Sequence, residues 1–265
     1  MTWVGHSTFL IQLAGINLLT DPVWSLRASP FQWLGPARMT APGIAFEELP
    51  RIDAVLLTHD HYDHLDSPTV RRLAHTHPKA PWYAPLGHVG ILQGLGVQTV
   101  VELDWWQRAA LLDADGFELV CLPVQHWTRR FGSPAFRRLW CSWAIKTAGC
   151  SIYFAGDSGY CPAFREIGER AGPFDVAILP IGAYEPRWFM QPAHMNPEEA
   201  LQSYTDLRAR EFIAMHWGTF RLTDEDPLEP PTRIRSAWQQ AQLPAERLHV
   251  PAFGETIVFD DACRP

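Results

Sequence analysis

The sequence predicts an α/β protein of layered sheets covered by helices, organised as one domain over residues 1–265. Three observations lead there. Strand-like and helix-like segments alternate from Tyr153 to Gln242, the rhythm of sheets flanked by helices. The first twenty residues read instead as paired strands joined by a tight turn. A length of 265 residues, with 47% apolar and 19% charged side chains, suffices for one large core. No internal repeat or low-complexity stretch interrupts the chain.

Met1 leads directly into a strand, and Thr8–Leu13 and Ile16–Thr20 form a hairpin about Ala14-Gly15. Residues Trp24 to Pro50 carry Pro30, Pro36, Pro42 and Pro50 without any period. They form a long loop, suited equally to a structural surface or to a wall beside a site. Ile52–Leu57 is an apolar run of buried-strand character. Ser67–Thr76 reads as a helix with Asp66 as its cap and Pro68 in its first turn. Trp82–Ala84 is strand-like and His88–Leu95 helical, followed by strands over Val97–Glu102, Arg108–Asp113, Phe117–Val124 and Ser151–Ala155. His75, His77 and His88 fall on helices or their ends, where solvent-facing or capping roles are expected. Helices over Pro162–Ala171, Pro197–Leu207 and Thr232–Gln242 then alternate with strands over Val176–Ile181 and Phe212–His216.

The turn after Ile52–Leu57 is the most informative segment. Thr58-His59-Asp60-His61-Tyr62-Asp63-His64 packs three histidines and two aspartates into seven residues. His59 and His61, two apart, project to one side of an extended or tightly turned backbone, and Asp63 and His64 come round next. That spacing suits two adjacent metal ions, since imidazole and carboxylate are ligands for zinc and similar divalent ions. A polar turn that merely caps the next helix leaves the histidines unexplained, because Asp66 and Pro68 already serve that end. Three more positions fit. His126, Asp157 in Gly156-Asp157-Ser158-Gly159, and His216 each follow the end of an apolar strand. Sites on layered α/β proteins gather at such strand ends. A lone histidine there is more often structural, but four strands ending alike are harder to dismiss.

The series H-x-H-x-D-H, a distant His, Asp in a G-D-S-G turn, and a final His resembles the ligand order of the metallo-β-lactamase superfamily. The resemblance implies a four-layered αβ/βα sandwich with a dinuclear site at the edge between its sheets. It implies His59, His61 and His126 on one metal, Asp63, His64 and His216 on the other, and Asp157 bridging both. A narrower resemblance is carried by three stretches. They are Trp3-Val4-Gly5-His6-Ser7-Thr8-Phe9-Leu10, Leu19-Thr20-Asp21-Pro22-Val23-Trp24 and the tract from Gly182 through Arg187-Trp188 to Ala200. With His216-Trp217-Gly218-Thr219-Phe220 they look like the N-acyl-phosphatidylethanolamine-hydrolysing phospholipase D branch. Members of that branch usually carry a segment ahead of the W-x-G-H-S-T strand, which here begins at residue 2.

These residues set the expected chemistry. Two divalent ions, zinc first and iron or manganese as alternatives, would share a hydroxide that attacks phosphorus in line and expels an alcohol. Asp63 and Asp157 would orient that hydroxide. His194 precedes a helix start at Asn196-Pro197, where Asn196 can act as cap. Its place in the motif resembles a substrate-contacting histidine of the phospholipase D branch, suited to donate to a phosphoryl oxygen. Asp21 would suit a partner that fixes a ligand imidazole, with His6 a weaker candidate. Twelve tryptophans are unusual at this length. Trp24, Trp33, Trp105, Trp106, Trp127, Trp188 and Trp217 lie in or beside predicted loops, where they can line an apolar pocket for acyl chains.

The resemblance implies a small or lipid-like molecule as partner, with peripheral membrane contact in keeping. A net charge of −7 argues against a broad nucleic-acid surface. Arg129-Arg130 and Arg137-Arg138 could receive a phosphate, with a solvated loop slightly favoured. Cys121, Cys141, Cys150, Cys161 and Cys263 are odd in number, lack C-x-x-C spacing and read as reduced thiols. No signal peptide or membrane-length apolar run is visible, so a cytoplasmic location is expected. The leading expectation is a dinuclear metal-dependent phosphodiesterase. The alternative is a lactonase or β-lactamase-type hydrolase, because the same hydroxide attacks carbonyls and fold does not settle substrate. A diiron oxidoreductase is disfavoured, since His61 stands where that branch has a glutamate. A metal-binding module without turnover is disfavoured by the full set of seven ligand-type residues.

Overall fold

The computed structural model describes residues 1–111, 114 and 116–259. One mixed sheet runs in chain order through β1 (Thr2–Gly5), β2 (Thr8–Leu13), β3 (Ile16–Thr20), β4 (Ala54–Leu56), β5 (Trp82–Pro85) and β6 (Val100–Leu103). The other comprises β7 (Arg108–Ala110), β8 (Glu118–Leu122), β9 (Ser142–Lys146), β10 (Ser151–Phe154), β11 (Val176–Pro180), β12 (Glu211–Met215) and β13 (Leu248–His249). These lie side by side from β13 to β7. Helices α1 (Ser67–Thr76), α2 (Val89–Gly94), α3 (Ala163–Arg170), α4 (Arg187–Met190), α5 (Pro197–Asp206) and α6 (Glu229–Gln240) complete the architecture.

The strand period of two explains the layering. Along the first sheet Phe9, Ile11, Leu18, Ala54 and Leu56 enter the core shared with the second sheet. Their neighbours Leu10, Leu19, Val55 and Leu57 face the other way, against Val70 and Leu73 of α1 and Leu92 of α2. Phe164, Tyr204 and Trp238 bring α3, α5 and α6 onto the second sheet. The order is helix, sheet, sheet, helix, a four-layered αβ/βα sandwich as expected.

The hairpin and α1 fall where the sequence places them. Asp66 does stand at the N-cap of α1, but its carboxylate accepts from Ser25 and from the Thr69 hydroxyl, not from a helix N–H. Asn196 caps α5 as expected, accepting from Glu199 N at 2.8 Å. Strands β9 and β13 and helix α4 were not anticipated. The β7 strand is shorter than predicted, and Asp113 lies outside the described residues. Cys121, Cys141 and Cys161 are free thiols, whereas Cys150 is disulfide-bonded, which corrects the reading of it as reduced. An odd count of cysteines argues against a framework but does not forbid one bridge. Cys263 lies outside the described residues.

Candidate metal centre

Strand ends from both sheets deliver the site. The turn after β4 brings His59, His61, Asp63 and His64; His126 follows β8, Asp157 follows β10 and His216 follows β12. Two glycines let these turns interlock. A Cβ at Gly156 would sit 2.6 Å from Thr58 Cγ2, and one at Gly182 would sit 2.2 Å from the His216 carbonyl oxygen. Non-glycine residues at positive φ gather here as well: His6 at 54°, Asp21 at 33° and His216 at 62°. Such conformations persist where surrounding structure over-determines them.

All seven sequence-predicted ligand-type residues converge. His59 Nε2 lies 2.9 Å and His126 Nε2 3.2 Å from His61 Nδ1. Asp63 Oδ2 lies 3.6 Å from both His64 Nε2 and His216 Nε2. Asp157 stands between the two groups. It lies 3.1 Å from His64, 3.0 Å from His216, 3.9 Å from His59 and 3.8 Å from His126. The ligand atoms of His59, His61 and His126 are close enough together to hold a cation, as are those of Asp63, His64 and His216. The donor set fits such an ion. His216 Nε2 and Asp157 Oδ1, 3.0 Å apart within the cluster, have no hydrogen-bond partner beyond each other, a costly condition that a bound cation relieves.

Behind the cluster the side chains are braced. His64 Nδ1 donates to Asp21 Oδ2 at 2.8 Å, and Asp21 also accepts from Thr58 N at 2.8 Å and from its hydroxyl at 2.6 Å. That places Asp21 where the sequence reading expects a partner for a ligand imidazole. His6 does more than its weaker candidacy suggests. Its Nε2 donates to Asp63 Oδ2 at 2.8 Å, and its carbonyl accepts from His216 N at 3.1 Å.

Electrostatics follow from burial and mutual proximity. Burial would raise Asp63 and Asp157, but His64 and His216 beside them outweigh it and hold both carboxyls well below the usual range. Burial opposes charge on His64 too, yet Asp157, Asp63 and Asp21 lift it well above 6.5. His216, against the same opposition, rises to about 9 through Asp157 and Asp63. Burial pushes His59 and His126 well below 6.5, His194 to about 4 and His6 to about 3. His59 and His126 are therefore neutral and Asp63 and Asp157 ionised, the forms that ligate metals, while the carboxylates favour a proton on His64 and His216 that a bound cation would displace.

A cleft of about 660 Å3 opens onto these residues. His61, Asp63, His126, Asp157 and His194 form its polar floor, and Tyr62, Trp127, Phe136, Phe189, Met190 and Leu222 its apolar walls. His194 has its Nδ1 buried without a partner, 3.9 Å from Asp157 Oδ2, and it could also join Asp157 and His126 around a cation. Of the seven tryptophans singled out, Trp127 lines the cleft, its ring 4.7 Å from that of His61. Trp24 packs on Phe46, Trp105 on Trp140, Trp106 under Arg170 and Trp217 on Trp3, while Trp33 and Trp188 are exposed. The loop from Trp24 to Pro50 contributes Ala28 to the wall.

Two expectations need correction. Arg130 and Arg138 are not solvated. Arg130 donates to the Asp60 and Leu65 carbonyls at 2.7 and 2.8 Å, and Arg138 Nη1 meets Asp60 Oδ2 at 2.8 Å. Asp60, the residue between His59 and His61, thus ties the 127–140 loop to the metal turn; an acid inside a ligand motif was the available signal. His88 is fully buried, with Nδ1 donating to the Pro85 carbonyl at 2.8 Å, and it does not cap α2 with its side chain. His75 is exposed as expected, and His77 ends α1 with Nδ1 accepting from Ile52 N.

This geometry agrees with comparisons to known proteins. The model of the Beta-lactamase superfamily domain matches residues 16–217. The chain belongs to that superfamily. A Caenorhabditis elegans protein, N-acyl-phosphatidylethanolamine-hydrolyzing phospholipase D 1, is 43% identical over 242 residues, covering 88% of this chain and 68% of that one. The mitochondrial N-acyl-phosphatidylethanolamine-hydrolyzing phospholipase D of Saccharomyces cerevisiae is 34% identical over 263 residues, covering 98% and 56%. The chain thus spans between about half and two thirds of these relatives' lengths. Igni18, a metallo hydrolase from Ignicoccus hospitalis, shares the fold at TM-score 0.72 and 24% identity, covering 98% of this chain and 97% of that one. Among the described residues no helix is long and apolar enough to cross a membrane.

Proposed function

We propose that this metal-dependent hydrolase of the β-lactamase superfamily is a single-domain, dinuclear phosphodiesterase acting on a lipid-like substrate, which it would meet at a membrane surface. The observation that carries the reading is one carboxylate, Asp157, within 3.0–3.9 Å of imidazoles from both histidine groups. His59, His61, His126 and Asp157 would hold one divalent ion, zinc by donor preference, and Asp63, His64, His216 and Asp157 the other. When bound, such ions supply hydroxide near neutral pH and offset charge on the reacting oxygens.

The chain's own residues do the rest. His6 and Asp21 fix Asp63 and His64 from behind, so the donor atoms are set before substrate arrives. Burial keeps the His194 imidazole uncharged at neutral pH, and it lines the cleft, where its N–H can donate to a phosphoryl oxygen. The apolar walls exclude water and accommodate hydrocarbon. Similarity to relatives named for N-acyl-phosphatidylethanolamine supports a phosphodiester with acyl chains.

The test compares turnover of a chromogenic bis-aryl phosphodiester, a lactone and a chromogenic cephalosporin. Preference for the diester is expected. Preference for the lactone or cephalosporin would transfer the assignment to carbonyl chemistry.

A further inference from the structure

The mouth of the cleft is unlike the rest of the surface. Of the chain's 29 acidic residues, none lies within 22–46 or 119–156. Both stretches line the cleft: Ala28 from the first, Trp127 and Phe136 from the second. They also carry bare apolar side chains. Trp33 is 75% exposed and Phe131 80%, and Phe31 bridges them, its ring 5.6 Å from Trp33 and 6.1 Å from Phe131. Phe189 lines the cleft as well, and its neighbour Trp188, 83% exposed, lies edge-on to it with ring centroids 5.7 Å apart. A soluble protein rarely leaves contiguous aromatic surface open without a use.

The charge pattern says which partner fits. Within the 127–140 loop the arginines divide by depth. Arg130 and Arg138 turn inward and are consumed by Asp60, Leu65 and Ser67. Arg129 and Arg137 remain exposed beside Phe131 and Phe136. A hollow of about 480 Å3 beside the cleft is lined by Arg129, Phe131 and Pro30, and it shares Tyr62 and Trp127 with the cleft. The cleft itself is lined by no arginine or lysine among the described residues. Positive charge on a chain of net charge −7 is thus displaced from the reaction site to its rim.

We propose that this rim seats on an anionic lipid surface, with Trp33, Phe131 and Trp188 entering the interface and Arg129 and Arg137 pairing with lipid phosphates. Aromatic rings favour the headgroup level, and a basic side chain near an anionic leaflet gains from its potential. The inference rests on the lipid-like substrate reading and adds a requirement that reading lacks, namely negative surface charge. Docking in this pose brings the cleft mouth onto the bilayer, so an acyl chain reaches the apolar walls without crossing water.

Flotation with phosphatidylcholine vesicles and with vesicles containing one quarter phosphatidylglycerol tests it. Binding is expected to favour the anionic vesicles by tenfold or more and to weaken as salt rises from 0.1 to 0.5 M. Each of Arg129→Gln and Arg137→Gln should cost about fivefold in vesicle affinity. The double variant Phe131→Ser, Trp188→Ser should abolish flotation. Turnover of the small chromogenic diester should persist in all of these variants, which establishes that they fold. Equal binding to both vesicles, or variants that float like the parent, would overturn the proposal. Anionic-selective flotation without turnover of any phosphodiester would support the docking surface while refuting the assigned reaction.

Discussion

Asp63, His64 and His216 are gripped from behind, whereas His59, His61 and His126 lean on the loops that also form the cleft. On the deep side, Asp21 holds His64 and His6 holds Asp63, each at 2.8 Å, and the His6 carbonyl pins the His216 backbone. On the open side His59 Nδ1 meets the Thr58 hydroxyl at 3.0 Å, and His126 Nδ1 donates to the Ala193 carbonyl at 3.0 Å, next to His194. His61 has a buried Nε2 without a partner and the ring of Trp127 for support. The difference teaches that one group is braced by side chains from other parts of the frame and the other by its own turn and the loops around the cleft. If the proposed pair of ions is bound, changes in the walls should therefore reach one before the other.

The largest effect should come from the residue that erases the distinction. Asp157→Ala removes the carboxylate common to both halves. Metal content should collapse and turnover should fall further than the roughly 10–100-fold typical of outer partners. Unchanged turnover would refute the mechanism. Next, His194→Gln should lower turnover on the order of a hundredfold while metal content stays constant. Loss of an ion in that variant would place His194 among the ligands instead. Asp21→Asn should weaken the deep ion by roughly 10–100-fold in titration calorimetry and spare the open one. Equal weakening of both would show that the halves share one brace.

The smallest effect lies away from the candidate metal centre. His88, beneath Asp60, Arg130 and Arg138, has its pKa lowered from 6.5 to about 4, chiefly by burial. Below pH 6.5 the unfolded chain binds that proton and the folded chain does not, so stability falls as pH drops from 6.5 to 4. The loss approaches about 3 kcal/mol at the lower end. Thermal melts of a His88→Gln variant should show a flatter profile over that window than the parent; parallel profiles would assign the pH dependence elsewhere.

Much of the frame was legible because its signals are local. The hairpin about Ala14-Gly15, the strand before His59 and the helix from Ser67 each carry their own period and punctuation. The seven converging residues were legible because each follows a strand end. What stayed hidden depends on pairing across the chain. Strand β9 is recognisable chiefly through its register with β8 and β10. The inward turn of Arg130 and Arg138 follows from Asp60, some seventy residues earlier, and that acid within the histidine motif is its one sequence signal. The importance of His6 likewise rests on His216, at the far end of the chain.

Elemental analysis of protein purified without chelators bears most directly on the central claim. Two equivalents of divalent transition metal per chain are predicted, both lost on replacing Asp157 with alanine. One equivalent or none in the parent protein would contradict a centre shared between the two histidine groups.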